Sequence, residues 1–121
     1  MANPSTDGPT SANGTEILRR SHGNPTSTSD VKLIDGTAGY IYTVLSVIIC
    51  EQSGSAINFD LSVSADASGS VFLLDDQSLG SKETFVFDNR IVITGADELT
   101  IRLSGSGNVD AWCSYIEQRW V

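Results

Sequence analysis

The chain has 121 residues with seven Lys+Arg against fifteen Asp+Glu, a net charge of −8. That length is one domain with room for a single modest core. The acidic balance repels phosphate backbones and anionic headgroups, so neither nucleic acid nor a membrane surface is an expected partner.

Composition divides the chain near residue 30. Residues 1–30 hold all three prolines (Pro4, Pro9, Pro25) and are otherwise mostly Gly, Ser, Thr and Asn. So few apolar groups cannot offset the entropy of ordering a chain, and the segment reads as an extended N-terminal arm, 1–30. It lacks the basic start and apolar run of a secretory signal. Its one sticky spot is Glu16-Ile17-Leu18-Arg19-Arg20, two aliphatics beside two cations. Ile17 and Leu18 suit addition to a sheet edge or a groove, and Arg19 and Arg20 suit an acidic partner.

From Val31 to Val121 the period is two, and this is the expected body. Val31–Ile34 opens it, followed by Asp35-Gly36, a hairpin-type turn pair. Tyr40–Cys50 is apolar on both parities, so that strand is either central or covered by a neighbouring subunit. With Thr43 and Ser46 inside it, it is too short to span a bilayer as a helix. Ile57–Val63 alternates cleanly, with Ile57, Phe59, Leu61 and Val63 on one side. Asp66–Gly69 turns the chain into Val71–Leu74, and a polar link leads to Phe85 and Phe87. Asp88-Asn89 reads as a tight hairpin before Ile91 and Ile93. Two more alternating segments follow, Glu98–Ser104 and Val109–Ile116. About eight short strands without a helical period predict an all-β antiparallel sandwich or jelly roll.

Chemistry is sparse. The one histidine, His22, lies in the arm, away from Cys50 and Cys113, so no triad is expected on the body. No zinc-ligand spacing and no phosphate-binding glycine loop occurs, and no metal or cofactor is expected. The acid pairs Asp75-Asp76 and Asp97-Glu98 read as turn residues rather than as a catalytic or calcium pair. Cys50 and Cys113 both fall in strands and suit small buried hydrophobes, with an intrachain or intermolecular bridge as alternatives.

The order of segments resembles a group of small structural proteins of tailed bacteriophages. The resemblance rests on Tyr42-Thr43-Val44 opening the long apolar strand that ends Ser46-Val47-Ile48-Ile49-Cys50, then a polar Gly/Ser loop and the alternating Ile57–Val63. It continues through Leu73-Leu74, a polar link to Phe85, the turn Gly95-Ala96-Asp97-Glu98-Leu99 and the close Ser114-Tyr115-Ile116-Glu117. Leu45 stands where that group commonly has Pro, and Glu51-Gln52 where it has Asn. The match runs from about Gly39 to Gln118 and does not reach the arm.

What the resemblance implies is a non-enzymatic virion component. In the first place this is a capsid decoration (cement) protein on the outer surface of the shell, holding the major capsid protein or other virion proteins through its arm. A homo-oligomer, with a trimer favoured, is the expected state. A neck or tail ring protein of the same fold is the alternative. A carbohydrate-binding sandwich module for host-surface adsorption is the alternative of another class. Tyr40, Tyr42, Trp112 and Trp120 are the expected interface anchors, because buried aromatics dominate interfaces.

Overall fold

Nine strands and no helix make up the described residues, 15–64 and 69–119, of the computed structural model. They are β1 (Thr15–Gly23), β2 (Val31–Asp35), β3 (Tyr40–Glu51), β4 (Ile57–Ser64), β5 (Ser70–Leu79), β6 (Thr84–Phe87), β7 (Ile91–Thr94), β8 (Glu98–Leu103) and β9 (Val109–Arg119). A five-stranded sheet runs β1-β9-β3-β6 with β7 also on β3, and a four-stranded sheet runs β2-β8-β4-β5. Every pairing is antiparallel.

β6 and β7 are two halves of one edge strand. Phe87 lies opposite Val47 and Ile91 opposite Val44, so both halves follow β3 with an interruption at 88–90. The hairpin expected at Asp88-Asn89 is therefore an irregularity within one edge strand. A short polar insert bends a strand as readily as it reverses one, and periodicity does not separate the two outcomes. With β6 and β7 counted together, eight strands shuttle between the sheets in jelly-roll order. Asp35-Gly36 likewise carries the chain from one sheet to the other instead of closing a hairpin; the Gly36 amide donates to the Asp97 carbonyl at 3.0 Å.

The two inner faces make the core. Tyr42, Val44, Val47, Ile49, Ile93, Val109, Ala111 and Cys113 come from the five-stranded sheet, and Phe59, Leu61, Leu79, Leu99, Ile101 and Leu103 from the other. β3 lies between β9 and the β6/β7 edge, so it is central, which accounts for its inward apolar set. On β2 the register shifts between Lys32 and Ile34, and this bulge lets the successive Leu33 and Ile34 both be buried.

Residues 15–26, which composition assigns to the arm, are built into the body. β1 pairs with β9 over its full length, from Thr15 opposite Arg119 to Gly23 opposite Ala111. The Asn24 side-chain amide then donates to the Val109 carbonyl at 2.8 Å, and the Pro25 and Thr26 carbonyls accept from the Val109 and Gly107 amides. An edge strand needs little apolar surface of its own, because the backbone ladder to β9 holds it. Small residues suffice on its inner side: a Cβ on Gly23 would stand 2.7 Å from Val31 Cγ1.

The end of β3 carries a polar clip. Glu51 is fully buried, and its carboxylate accepts from the amides of Ser53 (2.7 Å), Gly54 (2.9 Å) and Lys82 (2.9 Å), and from the Ser53 hydroxyl. These donors, led by the Lys82 amide and the Ser53 hydroxyl, hold its pKa down from 4.5 to about 2. One carboxylate thus ties the β3–β4 loop to the β5–β6 loop.

Candidate functional site

Val71 and Phe72 are exposed on β5 of the four-stranded sheet, but most of the exposed apolar surface among the described residues lies on the outer face of the five-stranded sheet. Leu18, Ile48, Val86, Val92 and Trp112 are exposed there, with Trp112 42% and Val92 65% accessible. The register arranges them in rows across the strands. His22, Trp112, Ile48 and Val86 are successive cross-strand neighbours from β1 to β6. Leu18, Ile116, Thr43 and Val92 form a second row from β1 to β7. Arg20 and Ser114 lie between the rows. Side chains that alternate in and out along β3 explain why that strand is apolar on both parities: one set fills the core and the other faces this surface.

Trp112 is the centre of the face. His22 stacks against its ring at a centroid distance of 6.0 Å, and the Arg20 guanidinium carbon lies 5.0 Å from the ring centroid. Beside it is an open depression of about 410 Å³ lined by Arg20, His22, Asn24, Cys50, Asp110 and Trp112 among others. The fold thus brings His22, Cys50 and Asp110 to one rim, although His22 and Cys50 are remote in sequence. Each is engaged by a different neighbour. His22 lies on Trp112, the Cys50 sulfur accepts from Gln52 Nε2 at 3.2 Å, and Asp110 accepts from Asn24 Nδ2 at 3.0 Å. Among the described residues no group of three His, Cys, Asp or Glu side chains is placed to hold a metal ion.

The expected docking residues divide between the two sides of β1. Leu18 (55% accessible) and Arg20 are on the outer face. Ile17 is half-buried, and Arg19 pairs with Glu117 at 3.1 Å. Tyr42 is a correction to the expected anchors: it is 4% accessible, inside the sandwich, and its hydroxyl accepts from the Thr37 amide at 2.9 Å. Tyr40 stacks on it at 6.1 Å and is partly buried against the core. Trp112 is exposed on the outer face, and Trp120 lies outside the described residues. Sequence reading missed Ile48, Val86 and Val92, although the double parity of Tyr40–Cys50 carries the signal for Ile48.

The two cysteines face opposite ways. Cys113 lies opposite Val47 on the inner face and is fully buried, which pushes its thiol up to about 12. Cys50 is only half-buried and lines the outer depression, so the two cannot bridge within one chain.

No protein-family profile and no curated protein matches the sequence. Solved structures resemble it at low sequence identity. One from Bacillus endospore appendages, described as a novel family of disulfide-linked pili, matches with a TM-score of 0.53 and 13% identity over 100% of this chain and 96% of that one. A pentameric capsid protein from metagenomic phage sequences matches with a TM-score of 0.44 and 14% identity, over 83% of this chain and 60% of that one. The T13 particle of IBDV gives 0.48 and 8%, over 88% of this chain and 36% of that one. The first likeness supports the sandwich, and at such identities it speaks for the fold alone.

Proposed function

We propose that this chain is a non-enzymatic structural subunit of a virion or comparable extracellular assembly, in the first place a decoration (cement) protein on the outer surface of a phage capsid. The observation that carries it is the outer face of the five-stranded sheet, where two apolar rows centred on Trp112 stand uncovered. Scattered exposed aliphatics are ordinary, but four aliphatics and a tryptophan on a single sheet face support a contact surface. Trp112 and Ile48 are the contact centre, while the residues ahead of β1 extend the attachment. The acidic remainder of the surface keeps loaded particles apart.

The test is the copy number of this chain relative to the major shell protein in the purified source particle. Near-stoichiometric abundance supports shell decoration. A tens-fold lower ratio moves the chain to a neck or tail ring, and absence from the particle refutes the virion reading. A second reading, glycan binding for host adsorption, is favoured by the open depression beside Trp112. Glycan-array binding lost in Trp112→Ala would support it, and no binding by the intact chain would rule it out.

A further inference from the structure

Among the described residues the two sheets have four edges, and three are guarded. The β6/β7 edge is broken at 88–90 into two four-residue pieces. β2 has five residues and a bulge, with Lys32 and Asp35 on it. β5 has two register breaks and holds Asp76 at a φ of 54°. Short length, bulges and charge are the means by which proteins keep edges from pairing. β1 has no bulge or register break: nine residues run in unbroken register with β9, its charges Glu16, Arg19 and Arg20 are of both signs, and among the described residues no further strand lies outside it. An uninterrupted edge of that length presents a row of backbone donors and acceptors to another strand.

The sequence of β1 specifies which strand that is. We propose that β1 pairs with β1 of a second copy of this chain, antiparallel about a two-fold axis at Leu18, so that the five-stranded sheets of two copies become one. An axis through a residue is required for both copies to keep the same face outward, because side chains alternate. About Leu18, each Glu16 lies opposite Arg20 of the other copy, twice over by symmetry, and Leu18 packs on Leu18. Glu16, Leu18 and Arg20 all project from the outer face, where directly opposed charges and apolar groups interact. An axis at Glu16, Arg19 or Arg20 sets like charges face to face. An axis at Ile17 leaves Arg20 without an opposing acid. Among axes through β1 residues, Leu18 alone sets an acid opposite a base, and it brings the two exposed Leu18 side chains together. Pairing of this kind is two-fold, so β1 joins copies in pairs and any trimer would need a different surface.

The experiment uses the purified full chain, so its result does not depend on which particle the chain belongs to. Sedimentation equilibrium of the wild type should give a dimer. Glu16→Arg and Arg20→Glu should each weaken it about tenfold or more, since each puts like charges opposite at both symmetric positions. The double swap E16R/R20E restores the opposition and should return to within about threefold of wild type. Circular dichroism confirms that each variant is folded. In a Cys50→Ser background, Leu18→Cys should form a covalent dimer on oxidation and His22→Cys should not. The Leu18→Cys result decides the matter if a charge variant fails to fold. A monomeric or trimeric wild type at about 100 µM, a double swap no better than the singles, or equal cross-linking at His22 would overturn the proposal.

Discussion

Ile48 and Ile49 are neighbours on β3 with the same side chain and opposite fates, which makes them a direct test of the outer face. Ile49 is 0% accessible in the core, and Ile48 is 40% accessible between Trp112 and Val86. Truncating isoleucine to alanine removes three carbons, worth roughly 2.4 kcal/mol at about 0.8 per methylene when fully buried. Ile49→Ala adds a closed cavity, so the expected loss is about 2–5 kcal/mol. Ile48→Ala opens no cavity and removes atoms already partly in water, so its cost is about 1 kcal/mol, including lost strand propensity. For a chain of this size the melting midpoint should fall by roughly 8–20 °C for Ile49→Ala and by no more than about 4 °C for Ile48→Ala. Thermal melts followed by circular dichroism give these numbers, and co-sedimentation with the source particle gives attachment. Ile48→Ala should melt near wild type and attach poorly. If it melts as low as Ile49→Ala, the outer face is structural; if it melts normally and attaches normally, the face is not the contact surface.

Three further outcomes are expected. The folded-state pKa of Glu51, about 2, lies below its ordinary 4.5, so its stabilisation is complete above about pH 4.5 and is lost as pH falls toward 2. Melting midpoints measured from pH 6 to pH 2 should therefore drop along that limb, and Glu51→Gln should be less stable at neutral pH with a flatter acid limb. A thiol reagent added to the native chain should label Cys50 and spare Cys113 until denaturant is added, as counted by mass spectrometry. Gly36→Ala should destabilise by about 3 kcal/mol or more, because its Cβ would stand 2.2 Å from the Gly95 carbonyl oxygen and 2.4 Å from that of Asp97, both backbone atoms. A melt within a few degrees of wild type would show that this inter-sheet turn is free to shift.

The sandwich was legible from Val31 onward because period-two alternation there reports burial directly: Phe59, Leu61, Leu99, Ile101 and Leu103 all lie in the core as their parity requires. β1 was not legible, since its inner side needs only Ile17, Ser21 and Gly23, and its stability comes from a ladder to residues about a hundred positions away. Composition measures what a segment can bury, and an edge strand buries little. The outer face was half legible. Trp112 stood out as a large aromatic on the polar parity of its strand, whereas Val86 and Val92 became neighbours of that surface only when β6 and β7 aligned end to end along β3. Tyr42 misled because an aromatic on a doubly apolar strand carries no mark of which side it faces.

The pairing of β1 with β9 has a consequence for how the chain matures. The first of the described strands has its backbone ladder only with the last, and Arg19 and Glu117, which meet there, are 98 residues apart. β1 therefore stays without its partner until β9 has been made, and closing so large a loop is slow. β3 also waits for β9 along one of its sides, so the five-stranded sheet is finished last. Any copy that stops short of residue 109 lacks Trp112 and cannot align the rows around it. The outer face is thus complete only in a copy that carries β9.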